Sequence, residues 1–254
     1  MQQDAFLSRR ELIRTGLKTA AGLSLASIVG NYGADPVLGQ TRGAEDILTF
    51  EAAEACELTC SQILGPCYSP SPPIRRDITS GKQGMPMRLG FRVVGTDCLP
   101  IANASVDIWH TDVNGVYSAL PGFCANGDPN APSQNFLRGI QPTDSDGWAY
   151  FDTIFPGWYP SRTTHIHATI RVGTTAMVTT QFYFLDRINR HVYKNHPLYI
   201  HRPNPSTLNT TDNTLGGNMS RMMPYIFSTK FAGTKPLRAW KNVVLYTNPT
   251  ACNA

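Results

Sequence analysis

His165-Ile166-His167 sets two imidazoles two residues apart. On a β-strand, alternate side chains share one face, with Cα atoms about 6.6 Å apart at a rise of about 3.3 Å per residue. Two imidazoles so placed can reach one metal ion while Ile166 faces a core. Alone the pair is a weak signal, because two surface histidines on a strand spell the same letters. Its surroundings add weight. Just upstream, Phe155-Pro156-Gly157-Trp158-Tyr159-Pro160-Ser161-Arg162 is a turn holding a tyrosine and an arginine, and Asp107-Ile108-Trp109-His110 runs into a turn ending at Tyr117. Taken singly, Tyr117 and Tyr159 read equally well as rim tyrosines with bonded hydroxyls, and Arg162 as a surface ion-pair partner. His110, His191, His196 and His201 have no such company and read as ordinary core or surface histidines.

The elements that must carry these residues are short strands. Met87-Arg88-Leu89-Gly90-Phe91-Arg92-Val93-Val94 alternates polar with apolar, as does Ala104 to His110, and the Asp97-Cys98-Leu99-Pro100 turn separates them. Further strands are expected over 148–152, 165–172, 176–185 and 243–246, with Asp146-Gly147 and Val172-Gly173-Thr174 as turns. That spacing predicts an all-β fold, a β-sandwich of mostly antiparallel strands with long loops. Residues 46–64 are expected to form one short N-terminal helix. The Pro-rich stretch after it is extended or turn-like, since Pro fixes φ and removes a donor. Residues 186–240 look polar and irregular, and are expected to be loops.

Composition bounds the function classes. The 254 residues are 41% hydrophobic and 16% charged, with 21 Gly and 19 Pro, which suits a globular domain of short strands. The net charge is +4 and no basic stripe stands out, so nucleic-acid binding has no support. Ser8-Arg9-Arg10-Glu11-Leu12-Ile13-Arg14, a weakly apolar stretch from Leu17 to Val29 and small residues near residue 39 form the pattern of a twin-arginine export leader. Its apolar run is shorter than the ~20 residues of a membrane span. Residues 1–39 are therefore expected to be the leader, 40–85 the helix and Pro-rich segment, and 86–254 the sandwich. The expected destination is periplasmic or extracellular. Outside the cytoplasm Cys56, Cys60, Cys67, Cys98, Cys124 and Cys252 can form disulfides, with 15 pairings open. A thiolate metal site is the rival, but no second pair accompanies Cys56 and Cys60 at zinc-like spacing.

Across residues 64 to 200 the sequence resembles the intradiol ring-cleavage dioxygenase family, through an exported branch similar to protocatechuate 3,4-dioxygenase-type subunits. The resemblance rests on Gly65-Pro66-Cys67-Tyr68, the Leu99-Pro100 turn, the stretch from Asp107 to Tyr117, Asp144-Ser145-Asp146-Gly147, the turn ending at Arg162, the histidine pair and Thr180-Gln181-Phe182-Tyr183-Phe184, in that order. It implies Fe(III) held by Tyr117, Tyr159, His165 and His167, with Tyr159 also acting as an internal base, and with hydrogen bonds to the free imidazole nitrogens orienting both rings. Arg162 matches the active-site arginine and Gln181 a position just behind the ligands. The implied reaction uses O₂ to cleave a small aromatic diol between its hydroxyl-bearing carbons, giving a muconate-type dicarboxylate. Two phenolates are hard anionic donors suited to Fe(III), whereas Fe(II) oxygenases favour two histidines and a carboxylate. No Asp or Glu lies between Tyr159 and His167.

Departures touch substrate choice. Leu64 stands where the family often has an acidic residue, and only Pro160 and Ser161 separate Tyr159 from Arg162, a shorter spacing than in protocatechuate-cleaving members. The rivals are a non-catalytic sandwich that carries or binds a ligand, and a zinc hydrolase built on the two histidines. Oligomeric state is not fixed by any of these features.

Overall fold

The computed structural model describes residues 56–231 and 236–246. The expected leader over 1–39, the first part of the expected helix (46–55) and Cys252 lie outside them. Eight strands appear in chain order: β1 Pro86–Gly95, β2 Ser105–Trp109, β3 Arg138–Pro142, β4 Trp148–Ile154, β5 His165–Val172, β6 Thr175–Tyr183, β7 Ser228–Lys230 and β8 Leu237–Leu245. They make two four-stranded sheets, ordered β4-β1-β8-β7 and β3-β2-β5-β6. All pairings are antiparallel except β1 with β8. The all-β sandwich expected from the strand spacing is what the chain forms.

The period-2 pattern explains the layering. Met87, Leu89, Phe91 and Val93 of β1 are all buried in the core, together with Val106 and Ile108 of β2, Ile166, Ala168 and Ile170 of β5 and Phe182 of β6. At its centre the Phe91 ring lies 5.3 Å from Phe182, 5.8 Å from Phe227 and 6.4 Å from Phe151, none in a face-to-face sandwich. Burying each such ring contributes roughly 1.5–3 kcal/mol. A core this apolar gives β5 a fixed face, so a one-residue slip that would turn His165 and His167 inward is strongly disfavoured.

Two expectations need correction. Residues 56–64 are not helical. The segment instead laces the two sheets: Thr59 donates its N–H to Val244 O (3.1 Å) on β8, and Gln62 to Thr179 O (2.8 Å) on β6. These bonds and the Cys56–Cys98 disulfide hold it extended. The region from 186 to 240 is also more ordered than expected. Helix α1, Asp186–Asn195, buries Asn189, Val192 and Tyr193, and the one-turn helix α2, Met219–Met222, precedes β7. Polar composition concealed α1, because only a narrow stripe of it faces inward. No helix of the described residues is long and apolar enough to cross a membrane.

Candidate metal centre

The two histidines open β5, and their register fixes what surrounds them. His167 pairs across the sheet with Trp109, the last residue of β2, and on the other side with Gln181 of β6. The Trp109 indole stacks on the His167 ring at 4.8 Å and 9°. Gly65 comes close to the same ring: a Cβ at that position would lie 3.1 Å from His167 Cε1. With φ at +77°, Gly65 also occupies backbone space that other residues reach only with strain. Ile166, between the histidines, is fully buried in the core, as alternation requires.

The tyrosines come from two loops that are fastened to each other. Asp112 organises the first: its Oδ1 accepts the N–H groups of Asn114 (2.9 Å) and Val116 (3.1 Å), and its carbonyl accepts that of Gly115. Gly115 has φ +76°, and a Cβ there would meet Trp158 O at 2.3 Å, so the first loop presses directly on the second. Gly157 N–H to Asp112 O (3.0 Å) and the Thr111 hydroxyl to Gly157 O (2.6 Å) complete the seam. In the second loop, Tyr159 and Arg162 pair across a tight turn with Pro160 first and Ser161 second at φ +73°. That combination marks a type II turn, in which Pro presets one corner and the left-handed residue the other. Tyr159 and Arg162 thus leave the turn side by side.

A third fastening holds the Tyr117 loop against the segment over His167. Tyr117 N–H donates to Cys124 O at 2.8 Å, and Cys124 is disulfide-bonded to Cys67. Arg138, buried behind them, donates to the carbonyls of Cys67 and Ser118 at 2.8 and 2.6 Å. Phe123, on the same short turn of helix as Cys124, packs edge-on against Tyr159 at 5.8 Å and remains 65% exposed.

The outcome is convergence of four side-chain atoms. Nε2 of His165 lies 3.3 Å from the Tyr117 hydroxyl, 3.2 Å from the Tyr159 hydroxyl and 3.1 Å from Nε2 of His167. Donors that share an ion at metal–ligand distances of about 2.0–2.1 Å sit roughly 3 Å from one another. Among the described residues, no group of three or more His, Cys, Asp or Glu could hold a metal ion, so a centre here requires the phenol oxygens.

Burial sets the protonation of the four donors. Burial pushes the Tyr117 hydroxyl well above the usual phenol range and raises that of Tyr159. Without a positive partner both hold their protons, and only a strong local charge would make them anions. Burial also lowers His165 to about 3 and holds His167 well below the usual imidazole range, leaving both rings neutral with a lone pair to share. His165 Nδ1 donates to Thr163 O at 2.6 Å, which fixes its tautomer with Nε2 unprotonated. At His167 no protein group among the described residues bonds Nδ1, and stacking on Trp109 sets that ring's plane.

Arg162 and Gln181 stand beside the four donors. The Arg162 Nη2 donates to Gln181 Oε1, while Gln181 Nε2 donates to Ile63 O at 2.8 Å. Arg162 Nε donates to Asp212 Oδ2 at 2.9 Å. The six candidate site residues, Tyr117, Tyr159, Arg162, His165, His167 and Gln181, therefore lie in one place. Asp212, Trp109, Gly65, Phe123 and the Cys67–Cys124 link were given no role at the site by the sequence. Trp109 could have been found from its cross-strand position, whereas nothing local marks Asp212.

Comparison with known proteins bears on the family and the fold. The Dioxygenase family profile matches residues 63–195. Catechol 1,2-dioxygenase 1 of Acinetobacter lwoffii is 26% identical over 209 residues, covering 70% of this chain and 65% of that protein. A hydroxyquinol 1,2-dioxygenase from a Rhizobium strain is 30% identical over 103 residues and 32% of its length. The chain thus spans less than two thirds of these curated relatives. Among solved structures, an intradiol ring-cleavage dioxygenase from Tetranychus urticae superposes with a TM-score of 0.66 at 26% identity, covering 78% of this chain and 98% of that one. From its fold, its matched segment and the order of its motifs, the chain belongs to the intradiol ring-cleavage dioxygenase family.

Proposed function

We propose that this protein is a non-haem Fe(III) dioxygenase that cleaves an aromatic 1,2-diol between its two hydroxyl-bearing carbons. One observation carries the reading: the two phenol oxygens and the Nε2 atom of His167 all lie within 3.3 Å of His165 Nε2. Tyr117, Tyr159, His165 and His167 would hold the ion, and Fe(III) bound there would supply Lewis acidity toward the oxygens of a 1,2-diol. The Tyr159 oxygen takes up a diol proton, and its burial favours the protonated form. Arg162 stands next to Tyr159 and stabilises negative charge that builds on the substrate during oxygenation. Trp109, Gly65 and Phe123 wall the site and limit water. The overall change balances: one C–C bond breaks, and both atoms of O₂ enter the product, which carries two carboxyl groups where the diol had two hydroxyls.

The substrate is a small aromatic diol, and nothing in the charge pattern supports a nucleic-acid partner. The residues 8–14 pattern supports export by the twin-arginine route, to the periplasm or beyond. The test uses purified protein: about one iron per chain, a red-brown colour from tyrosinate-to-iron charge transfer, and O₂ uptake against a panel of 1,2-dihydroxybenzenes. Colourless, zinc-loaded protein that consumes no O₂ would overturn the reading.

A further inference from the structure

Arg162 cannot serve a reaction unless something holds its guanidinium, and the holder is outside the strands. Asp212 lies in the connection between α1 and α2, and its side chain is 0% exposed. Three N–H groups converge on its two oxygens. Oδ2 accepts from Arg162 Nε at 2.9 Å and from Thr163 N at 2.8 Å, and Oδ1 accepts from Thr214 N at 2.9 Å. Asp212 thereby caps the one-turn helix Asn213–Leu215, which steadies its own position. Asn209, also fully buried, adds a bond from the Thr163 hydroxyl at 2.7 Å and is itself tied to the Phe184 carbonyl.

We infer, on the basis of the function proposed above, that Asp212 is the positioning residue for Arg162 and thus sets the rate of ring cleavage from outside the metal centre. The chemistry of the position supports this. Only a carboxylate can accept from three donors on two oxygens; an amide would turn an NH₂ toward at least one of them. A buried guanidinium without its carboxylate would also carry an uncompensated charge. With Nε on Asp212 and Nη2 on Gln181, the guanidinium is held at two corners in a fork that leaves its remaining edge for the site. Oδ2 also accepts the Thr163 N–H, a bond that an amide oxygen would keep, and Thr163 is held besides by its hydroxyl on Asn209 at 2.7 Å, so the start of β5 does not depend on the charge of the acid.

The experiment is a double-mutant cycle on the iron-loaded enzyme, with Asp212→Asn, Arg162→Lys and the pair combined. Asp212→Asn should lower kcat by roughly tenfold or more, with iron content and visible absorption unchanged and KM within about twofold. Because Asp212 acts through Arg162, the double variant should be no slower than Arg162→Lys alone. Asp212→Ser, which still caps the short helix, repeats the test should the Asn protein fold poorly. Wild-type-like kcat in both Asp212 variants, or losses that multiply in the double variant, would overturn the inference while leaving the dioxygenase reading intact. A parent protein that consumes no O₂ with any diol overturns that reading and this inference with it.

Discussion

The candidate centre has two halves built in different ways. His165 and His167 belong to a strand, and their positions follow from period 2 and from a core that fixes the face of β5. Tyr117 and Tyr159 belong to loops, and each needed its own fastenings: the Asp112 turn, the Gly115–Trp158 contact, the Pro160–Ser161 turn and the Cys67–Cys124 link. Regular structure places donors cheaply and by default. Loops place them only through several specific bonds, each of which can be removed singly.

Substitutions can break that comparison, beginning with the largest effect. His165→Ala in the strand half and Tyr159→Phe in the loop half should each lower ring cleavage by about a thousandfold or more, read as O₂ uptake with a catechol. Near-wild-type turnover in His165→Ala with iron still bound would sink the site assignment. Next comes the loop half's fastening. Replacing Cys67 and Cys124 with Ser opens a link between residues 57 apart in sequence, which the chain-entropy account values at about 4 kcal/mol. Denaturant titration should show that loss, and the tyrosine-dependent colour should fade before the β-sheet signal does. Equal loss of both would mean the loops are no more independent than the strands.

Smaller effects sharpen the contrast. Gly115→Ala forces a side chain into a backbone oxygen at positive φ and should cost about 2–4 kcal/mol in thermal unfolding. His110 tests the strand side without touching the four donors. It is fully buried, bonded to Thr111 O and the Thr153 hydroxyl, and pushed down to about 4 by burial. In the unfolded chain a histidine takes up its proton near pH 6.5. Stability is therefore lost as pH falls from about 6.5 toward 4, and His110 alone accounts for about 2 kcal/mol between pH 7 and 5. Denaturation of the wild type and His110→Asn at both values should reveal a shallower pH dependence in the variant.

The same division explains what could be read from the letters. β1, β2 and β5 alternate cleanly, and the histidine pair was visible because strand geometry needs no distant information. Tyr117, Tyr159, Arg162 and Gln181 came through resemblance to a family, not through local pattern. β3 went unseen because Arg138-Gly139-Ile140-Gln141-Pro142 lacks alternation, and the Ile78 side chain occupies the space beside Gly139. Asp212 lies 50 residues from Arg162, in polar chain with no periodicity, so only the folded molecule joins them.

The extended strap from Cys56 to Gly65 bears on where a minimal unit begins. It crosses from β8 to β6 and ends over His167, and the next residues carry Cys67. A fragment excised at β1 would keep all eight strands and every candidate ligand, yet would leave the His167 ring facing solvent and Cys124 without its mate. The shortest piece worth expressing therefore starts upstream of the first disulfide, and the eight-stranded body alone is a shell whose entrance has been stripped away.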